Sequence, residues 1–178
     1  MSGSGSITIV EVVPHDPSWK EAYREEARKI IEVLGSEVLE IHHIGSTSIP
    51  GIYAKLIIDI LAGARKIEDV DRYNDAMARI GYEAWGQYGL PGRRFFVKGV
   101  PRRTHNLHIF ESSNTEITRH LDFRDYMIAH PGDARQYSEL KKELAKKYEG
   151  DIEGYCDGKD AFVKDMERKA IEWAKNKR

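Results

Sequence analysis

Seven consecutive residues, Leu56–Ala62, form an apolar run that is interrupted only by Asp59. A short apolar run without alternating polar residues is typical of a central strand that is buried on both faces. A carboxylate in such a strand is costly unless it is paired, protonated or bound to a metal ion. The run therefore predicts a central strand and makes Asp59 a candidate functional residue. The alternative is that Asp59 lies at a strand end and caps a neighbouring loop.

The rest of the chain alternates strand-like and helical patterns without an obvious linker. β-Branched and apolar runs predict strands, whereas apolar residues at helical spacing predict helices. The predicted strands are Ile7–Val13, Val38–Ile44, Phe95–Val97 and Leu107–Phe110, and the predicted helices cover Trp19–Leu34 (N-capped by Asp16), Val70–Ile80 and most of the last third. These patterns predict one α/β domain over residues 7–178, with a sheet and packed C-terminal helices. Residues 1–6 resemble a flexible tail or a remnant of the expression vector.

Three helices are expected in the last third of the chain, the last of them from an apolar stripe of Phe162, Met166, Ala170 and Trp173. His130-Pro131 should end the first, because the residue before a proline disfavours the helical region. The second has an apolar stripe that includes Tyr137 and Leu144, and its lysines, including Lys141, are expected on the opposite side.

The composition excludes several classes of protein. The 28 basic and 29 acidic residues nearly cancel, which argues against binding duplex nucleic acid through a uniform positive field. Cys156 is the single cysteine, so an intrachain disulfide is excluded, and we interpret it as an ordinary thiol. The sequence contains no apolar stretch of the length of a membrane span. We therefore expect a cytoplasmic protein without a membrane partner.

A loop of small residues follows the second predicted strand. Gly45, Ser46 and Thr47 can present backbone N–H groups and hydroxyls to an anion, and glycine allows a phosphate to approach closely. Lys55, nearby in sequence, is a further phosphate candidate. These residues predict a site for a nucleotide or another phosphorylated small molecule. The alternative is an ordinary turn capped by serine and threonine.

The segment HHIGSTSIPG, followed by KLIIDI, resembles the GrpB family. The segments THNLHIF, RHLDFRDYMIAHP and YCDGKDAFV strengthen the resemblance across most of the chain. The family's fold resembles the minimal nucleotidyltransferases of the DNA polymerase beta superfamily, which implies a mixed, twisted sheet. In that superfamily a Gly-Ser pair holds a triphosphate, and two carboxylates at alternate positions of the next strand hold Mg²⁺. Gly45 and Ser46 match the pair, and Asp59 matches the first carboxylate.

The chain departs from that superfamily at the metal ligands. Leu61 stands where the second carboxylate is expected, and residues 104–110 contain no acidic residue. That later strand offers Asn106 and His108 on one face. We therefore predict a divalent metal held by Asp59, His108 and His43, with Mn²⁺ or Zn²⁺ favoured over Mg²⁺. Asp59 and His108 are also the predicted catalytic residues; the alternative is that the histidines are structural.

Five cations and no acid lie between Gly92 and Thr104. Arg94 and Lys98 should share one side of a strand, an arrangement that suits a polyphosphate. The alternative is a solvated hairpin whose charges protect a sheet edge.

Two classes of function remain open from the sequence. The first is a nucleotidyltransferase-like enzyme that moves a nucleotidyl group onto an unidentified acceptor. The second is a non-catalytic binding module that keeps the phosphate loop but lacks the metal chemistry. GrpB-like domains also occur fused to dephospho-coenzyme A kinase, so the resemblance implies a ligand or partner related to coenzyme A as part of the second class.

Overall fold

The computed structural model describes residues 10–178, which form a five-stranded mixed sheet covered by helices. The sheet has the order β1-β2-β5-β4-β3; β2 and β5 are parallel, and the other neighbouring pairs are antiparallel. The strands are β1 (Val38–Ile44), β2 (Ile58–Ala64), β3 (Tyr82–Ala84), β4 (Arg94–Lys98) and β5 (His105–Glu111). The helices are α1 (Ser18–Leu34), α2 (Asn74–Arg79), α3 (Thr115–Ala129), α4 (Pro131–Lys147) and α5 (Ile152–Lys175).

The apolar run lies in an internal strand, as its pattern predicts. β2 is hydrogen-bonded to β1 on one side and to β5 on the other, and Ile60, Leu61 and Ala62 are fully buried. The strand begins and ends two residues later than the run, so Leu56 is exposed instead of buried. Because the strand begins at Ile58, Asp59 lies near its first residue, at the edge of the buried layer.

Different helices cover the two faces of the sheet. On one face, Ile60 and Leu107 pack against Ile30 and Leu34 of α1. On the other face, Leu61 packs in an apolar cluster of residues from β1, β5 and α3: Ile44, Phe110 and Ile117. Alternate residues of a strand point to opposite faces, so Asp59 shares the α3 face with Leu61.

The C-terminal helices cover the loop between β1 and β2. Ile49 and Ile52 of that loop are buried against residues of α3, α4 and α5: Tyr126, Met127, Tyr137 and Met166. The Tyr53 N–H donates a hydrogen bond to Ser138 Oγ of α4 at 2.8 Å. These contacts place three helices that are distant in sequence over the loop that contains Gly45.

Several predicted elements differ in the structure. Residues 7–9 of the first predicted strand lie outside the described part, and within the remainder Val13 forms an isolated bridge with Ala54. The helix predicted over residues 70–80 is divided into a 3-10 segment, Ile67–Tyr73, and the short helix α2. Asp16 accepts a hydrogen bond from the Ser18 N–H, but the cap position of α1 is one residue later.

The broader predictions are confirmed. His130-Pro131 separates α3 from α4, as its sequence indicates. The architecture is mixed α/β with packed C-terminal helices, whereas its relation to minimal nucleotidyltransferases stays a prediction. None of the helices within residues 10–178 combines the length and the apolar character needed to cross a membrane.

Candidate functional site

The candidate site lies where β1 ends and where β2 and β5 begin. Ile44 pairs with Asp59 across the antiparallel β1–β2 ladder, and Asp59 pairs with Asn106 across the parallel β2–β5 ladder. The loop that starts at Gly45 therefore begins directly beside the Asp59 carboxylate. The register also places His108 on the same face as Asp59 and Asn106, as the alternation along β5 predicts.

One oxygen of the Asp59 carboxylate accepts two hydrogen bonds. Asn106 Nδ2 donates to Asp59 Oδ1 at 3.3 Å, and His108 Nε2 lies 3.4 Å from the same oxygen. Burial alone would raise the pKa of Asp59, but His108, Asn106 and the positive charge of Lys55 together lower it below its ordinary value. Asp59 is thus a negatively charged group at the edge of the core.

Gly45 is required by the close approach of its backbone to Asp59. Its φ of 72° lies in the left-handed region that side chains disfavour. A Cβ atom at this position would lie 2.7 Å from Asp59 Oδ2 and 3.0 Å from Asp59 Cβ. The glycine thus allows the loop to turn immediately over the carboxylate. The turn continues as a short 3-10 segment, Ser46–Ser48.

A cavity of about 220 Å³ opens between this loop and the C-terminal helices. Its wall combines the loop and strand residues with three lysines and two tyrosines, most of them from α4 and α5. The lining residues are Gly45, Ser46, Thr47, Lys55, Ile57, Asp59, Asn106, Phe123, Tyr137, Lys141, Tyr155 and Lys159. The cavity therefore has cations on the helical side and a carboxylate on the sheet side.

Lys141 is the most buried of these cations. It is 2% exposed, and its Nζ donates to the Tyr53 carbonyl oxygen and lies 4.4 Å from the centre of the Tyr137 ring. Burial, together with the charges of Lys159 and Lys55, lowers the pKa of Lys141 to about 7. Burial and Lys159 also lower the pKa of Lys55. An anion in the cavity would relieve this repulsion.

Two buried polar atoms of the cavity wall lack a hydrogen-bond partner. Tyr155 is 0% exposed, and its hydroxyl has no partner among residues 10–178. The Nζ atoms of Lys55 and Lys159 lie 5.3 and 5.1 Å from the centre of the Tyr155 ring. Asn106 Oδ1 is the second unpaired atom. Unpaired buried polar atoms each cost about 1–3 kcal/mol, which a bound ligand can offset.

The structure brings together most of the predicted phosphate-binding residues. Gly45, Ser46, Thr47 and Lys55 line the same cavity as Asp59. His108 contacts Asp59 through its hydrogen bond, although it does not line the cavity.

His43 lies away from the other predicted metal ligands. It pairs with Ile60 in the sheet and therefore points to the α1 face, where its ring is stacked on Tyr23 at 4.8 Å. Its Nε2 lies 2.8 Å from Thr47 Oγ1, and burial lowers its pKa to about 4. No three His, Cys, Asp or Glu side chains of the described chain are grouped so that they could hold a metal ion. The residues present therefore do not fit the predicted three-ligand metal site.

Arg94 and Lys98 also lie away from the loop. The ladder places both on the α1 face of β4, where Arg94 pairs with Asp71 at 2.7 Å and Lys98 pairs with Glu26 at 2.6 Å. Both cations share one side of the strand, as predicted, but each is neutralised by a carboxylate. The structure therefore does not bring them to the loop that begins at Gly45.

The helical half of the cavity was not predicted from the sequence. Lys141 was expected on the solvent side of its helix, but it is buried together with Tyr137. Tyr155 and Lys159 belong to the segment YCDGKDAFV, whose resemblance to the family was the available signal. Cys156, between them, is exposed and unpaired within the described residues.

Comparison with known proteins identifies relatives of this chain. The family model described as GrpB protein matches residues 9–169. UPF0157 protein YqkA of Bacillus subtilis is 44% identical over 168 residues, which cover 94% of this chain and 49% of YqkA. The chain thus spans about half the length of that relative. A dephospho-CoA kinase of Mycolicibacterium paratuberculosis is 25% identical over 190 residues, covering 93% of this chain and 47% of the kinase.

A solved structure shares the same architecture. The crystal structure of conserved protein GrpB from Enterococcus faecalis matches with a TM-score of 0.90 and 43% sequence identity. The match covers 92% of this chain and 99% of that chain. Since the family model also covers most of the sequence, the chain belongs to the GrpB family.

Proposed function

We propose that this protein binds a phosphorylated small molecule, with nucleotides and coenzyme A compounds as the leading classes, in the cavity beside Gly45. The observation that carries the proposal is the set of three lysines, Lys55, Lys141 and Lys159, that line one cavity without a carboxylate partner among the described residues. Cations held close together without carboxylate partners repel one another, and a phosphate dianion removes that repulsion. Gly45, Ser46 and Thr47 of the loop line the same cavity.

The size of the cavity restricts how such a ligand is held. Its volume of about 220 Å³ lies below the roughly 300–1,000 Å³ of typical ligand pockets. We therefore propose that the phosphate end enters the cavity, whereas a base or pantetheine portion extends outside. The similarity to a dephospho-CoA kinase supports testing coenzyme A compounds, although that kinase is only 25% identical.

Nucleotidyl transfer is the second candidate, because Asp59 occupies the position that the superfamily resemblance assigns to a first carboxylate. Against it, Leu61 is fully buried in an apolar cluster, where a second carboxylate would be poorly solvated. Asn106 and His108 supply an amide and an imidazole on the next strand, and His43 faces the other way. The donor set therefore favours a binding module over metal-assisted transfer.

We expect Lys55→Met to weaken binding of ATP or dephospho-coenzyme A about tenfold, because one contact with the phosphate is lost. Lys159→Met should have a similar effect. Isothermal titration calorimetry measures both. Lys164→Met is the matched control for Lys159→Met. Lys164 lies on α5, as Lys159 does, but its side chain is 72% exposed and pairs with Asp160. Equal affinities in all four proteins, the wild type included, would contradict the proposed site.

The two candidate functions are separated by a transfer assay with the wild-type protein. ATP or CTP labelled at the α-phosphate is incubated with Mg²⁺ or Mn²⁺, and labelled products are resolved by chromatography. The binding module predicts bound but unaltered nucleotide. Labelled nucleotidyl adduct on the protein, or labelled nucleoside monophosphate from transfer to water, formed with pyrophosphate as the leaving group and lost in Asp59→Asn, would establish transfer and overturn the binding-only assignment.

A further inference from the structure

The sheet side of the cavity consists of hydrogen-bond acceptors. Asp59 Oδ1 accepts both bonds from its neighbours, Asn106 and His108. No hydrogen bond within residues 10–178 reaches Asp59 Oδ2, and Asn106 Oδ1 is the unpaired buried atom. Because the amide nitrogen of Asn106 faces a carboxylate, exchanging its nitrogen and oxygen would place two oxygens in contact. The orientation of the amide is therefore fixed, its oxygen is left without a partner, and Asp59 lines the cavity.

No cation of the described chain neutralises Asp59 directly. Lys and Arg side chains in residues 10–178 form no salt bridge with it; the side-chain nitrogens near its carboxylate are those of His108, at 3.4 Å, and Asn106, at 3.3 Å. Lys55 is close enough to lower the pKa of Asp59, yet it lies over the Tyr155 ring instead of on the carboxylate. The acceptor side thus remains available to a group that donates hydrogen bonds.

On the helical side of the cavity, every charged group is a hydrogen-bond donor. Lys141 and Lys159 come from α4 and α5, and Tyr155 of α5 lines the cavity beside them. A ligand that is only an anion would satisfy this side and place its negative charge near Asp59. A ligand with a donor at its other end would satisfy both sides.

We propose that the ligand carries a hydroxyl or ammonium group within a few bonds of its phosphate, and that Asp59 and Asn106 bind this donor. The inference rests on the proposed function, since it assumes that the lysine side holds the phosphate. It assigns to Asp59 the role of a specificity residue for the organic part of the ligand. The small cavity volume of about 220 Å³ requires that donor and phosphate be close together.

Three phosphate monoesters of nearly equal size test the inference: ethyl phosphate, 2-hydroxyethyl phosphate and 2-aminoethyl phosphate. They share the phosphate and differ at the second carbon. That carbon is a methyl group in ethyl phosphate, whereas it carries a hydroxyl or an ammonium group in the other two esters. Calorimetry at constant pH and ionic strength gives their affinities for the full chain. We expect at least one donor-bearing ester to bind about tenfold more tightly than ethyl phosphate.

Asp59→Asn should reduce the advantage of the donor-bearing esters at least severalfold, because the carboxylate charge and one strong acceptor are removed. The affinity for ethyl phosphate should rise, because a negative charge near the phosphate is removed. Asp71→Asn is the matched control: it removes a carboxylate that pairs with Arg94 on the other face of the sheet. This control should leave all three affinities unchanged.

The outcomes distinguish the inference from the proposed function. Equal binding of the three esters would overturn the inference, while the phosphate site would stand. A donor preference that survives Asp59→Asn would also overturn it, because another group must then bind the donor. If none of the esters bound, and ATP and dephospho-coenzyme A also failed to bind, the proposed function and the inference would both be wrong.

Discussion

Replacing Gly45 by alanine is expected to lower the affinity for phosphate esters more than a hundredfold and to destabilise the fold by about 2–5 kcal/mol. The left-handed backbone at this residue costs about 1–2 kcal/mol for a residue with a Cβ atom. The contact adds a further cost of about 1–3 kcal/mol, because the new Cβ would lie 2.7 Å from Asp59 Oδ2. Relief requires that the carboxylate rotate away from His108 and Asn106 or that the loop move. Either movement disturbs the cavity wall.

Gly51→Ala is a matched control for the backbone contribution. Gly51 also has a positive φ, of 79°, but a Cβ atom there would meet nothing within 4 Å. Urea unfolding of the two variants should show a larger loss for Gly45→Ala, and calorimetry should show a loss of binding for that variant alone. If Gly45→Ala does not fold, Ser46→Ala tests the same loop without backbone strain. Equal stabilities of the two glycine variants would show that the approach to Asp59 is unimportant.

The sheet half of the site could be predicted because its information is local. A seven-residue apolar run interrupted by one aspartate indicates both an internal strand and an unusual carboxylate. The small residues that follow the preceding strand indicate a tight turn at its end. Adjacent strands then bring Gly45, Asp59 and Asn106 together through backbone pairing alone. Each of these steps depends on residues that are neighbours in sequence or in the ladder.

The helical half depends on packing between distant parts of the chain. Lys141 lies four residues after Tyr137 and three before Leu144, so helical spacing places it on the apolar stripe although its charge suggests the solvent side. Its Nζ donates a hydrogen bond to the Tyr53 carbonyl oxygen of the loop. That contact spans 88 residues of sequence, so no local pattern contains it. Lys159 and Tyr155 similarly reach the cavity because α5 packs beside α4. Helix propensity and hydrophobic periodicity predict each helix, but they do not predict which lysine packs against which loop.

The position of His43 shows that a shift of one residue in strand register changes which side chains meet in a predicted site. His42 and His43 are adjacent, so one of them faces each side of the sheet. The structure pairs His42 with Leu61 on the face of Asp59, and there it contacts Glu40 at 3.3 Å instead of Asp59. His43 faces α1. Because the sequence does not specify the register, it could not decide which histidine approaches the carboxylate.

The pH dependence of stability should reveal Lys141. The pKa of this residue is lowered from 10.5 to about 7 in the folded chain, whereas it returns to its ordinary value on unfolding. Below pH 7 both states are protonated, so the full cost of the buried charge is present. Between pH 7 and the ordinary pKa, the native lysine is neutral while the unfolded one stays protonated. The cost therefore falls as the pH rises through this range.

Lys141→Met should remove this dependence. Between pH 7 and pH 9, the stability of the wild type relative to the variant is expected to rise by about 2 kcal/mol. Urea unfolding at several pH values measures the difference. The same charge governs binding: sulfate, whose charge is constant over this range, should bind the wild type more weakly as the pH rises above 7. The variant should bind sulfate weakly at every pH.

Lys142→Met is the control for losing a lysine from α4. Lys142 neighbours Lys141 but is half-exposed; it pairs with Glu139 at 3.3 Å and lies over the Tyr53 ring. Its replacement should preserve the pH dependence of both stability and sulfate binding. A constant stability difference between the wild type and Lys141→Met from pH 6 to pH 9 would show that burial does not perturb this amine. In that case, proton uptake by Lys141 could not contribute to anion binding, and the attraction for phosphate would have to come from Lys55 and Lys159.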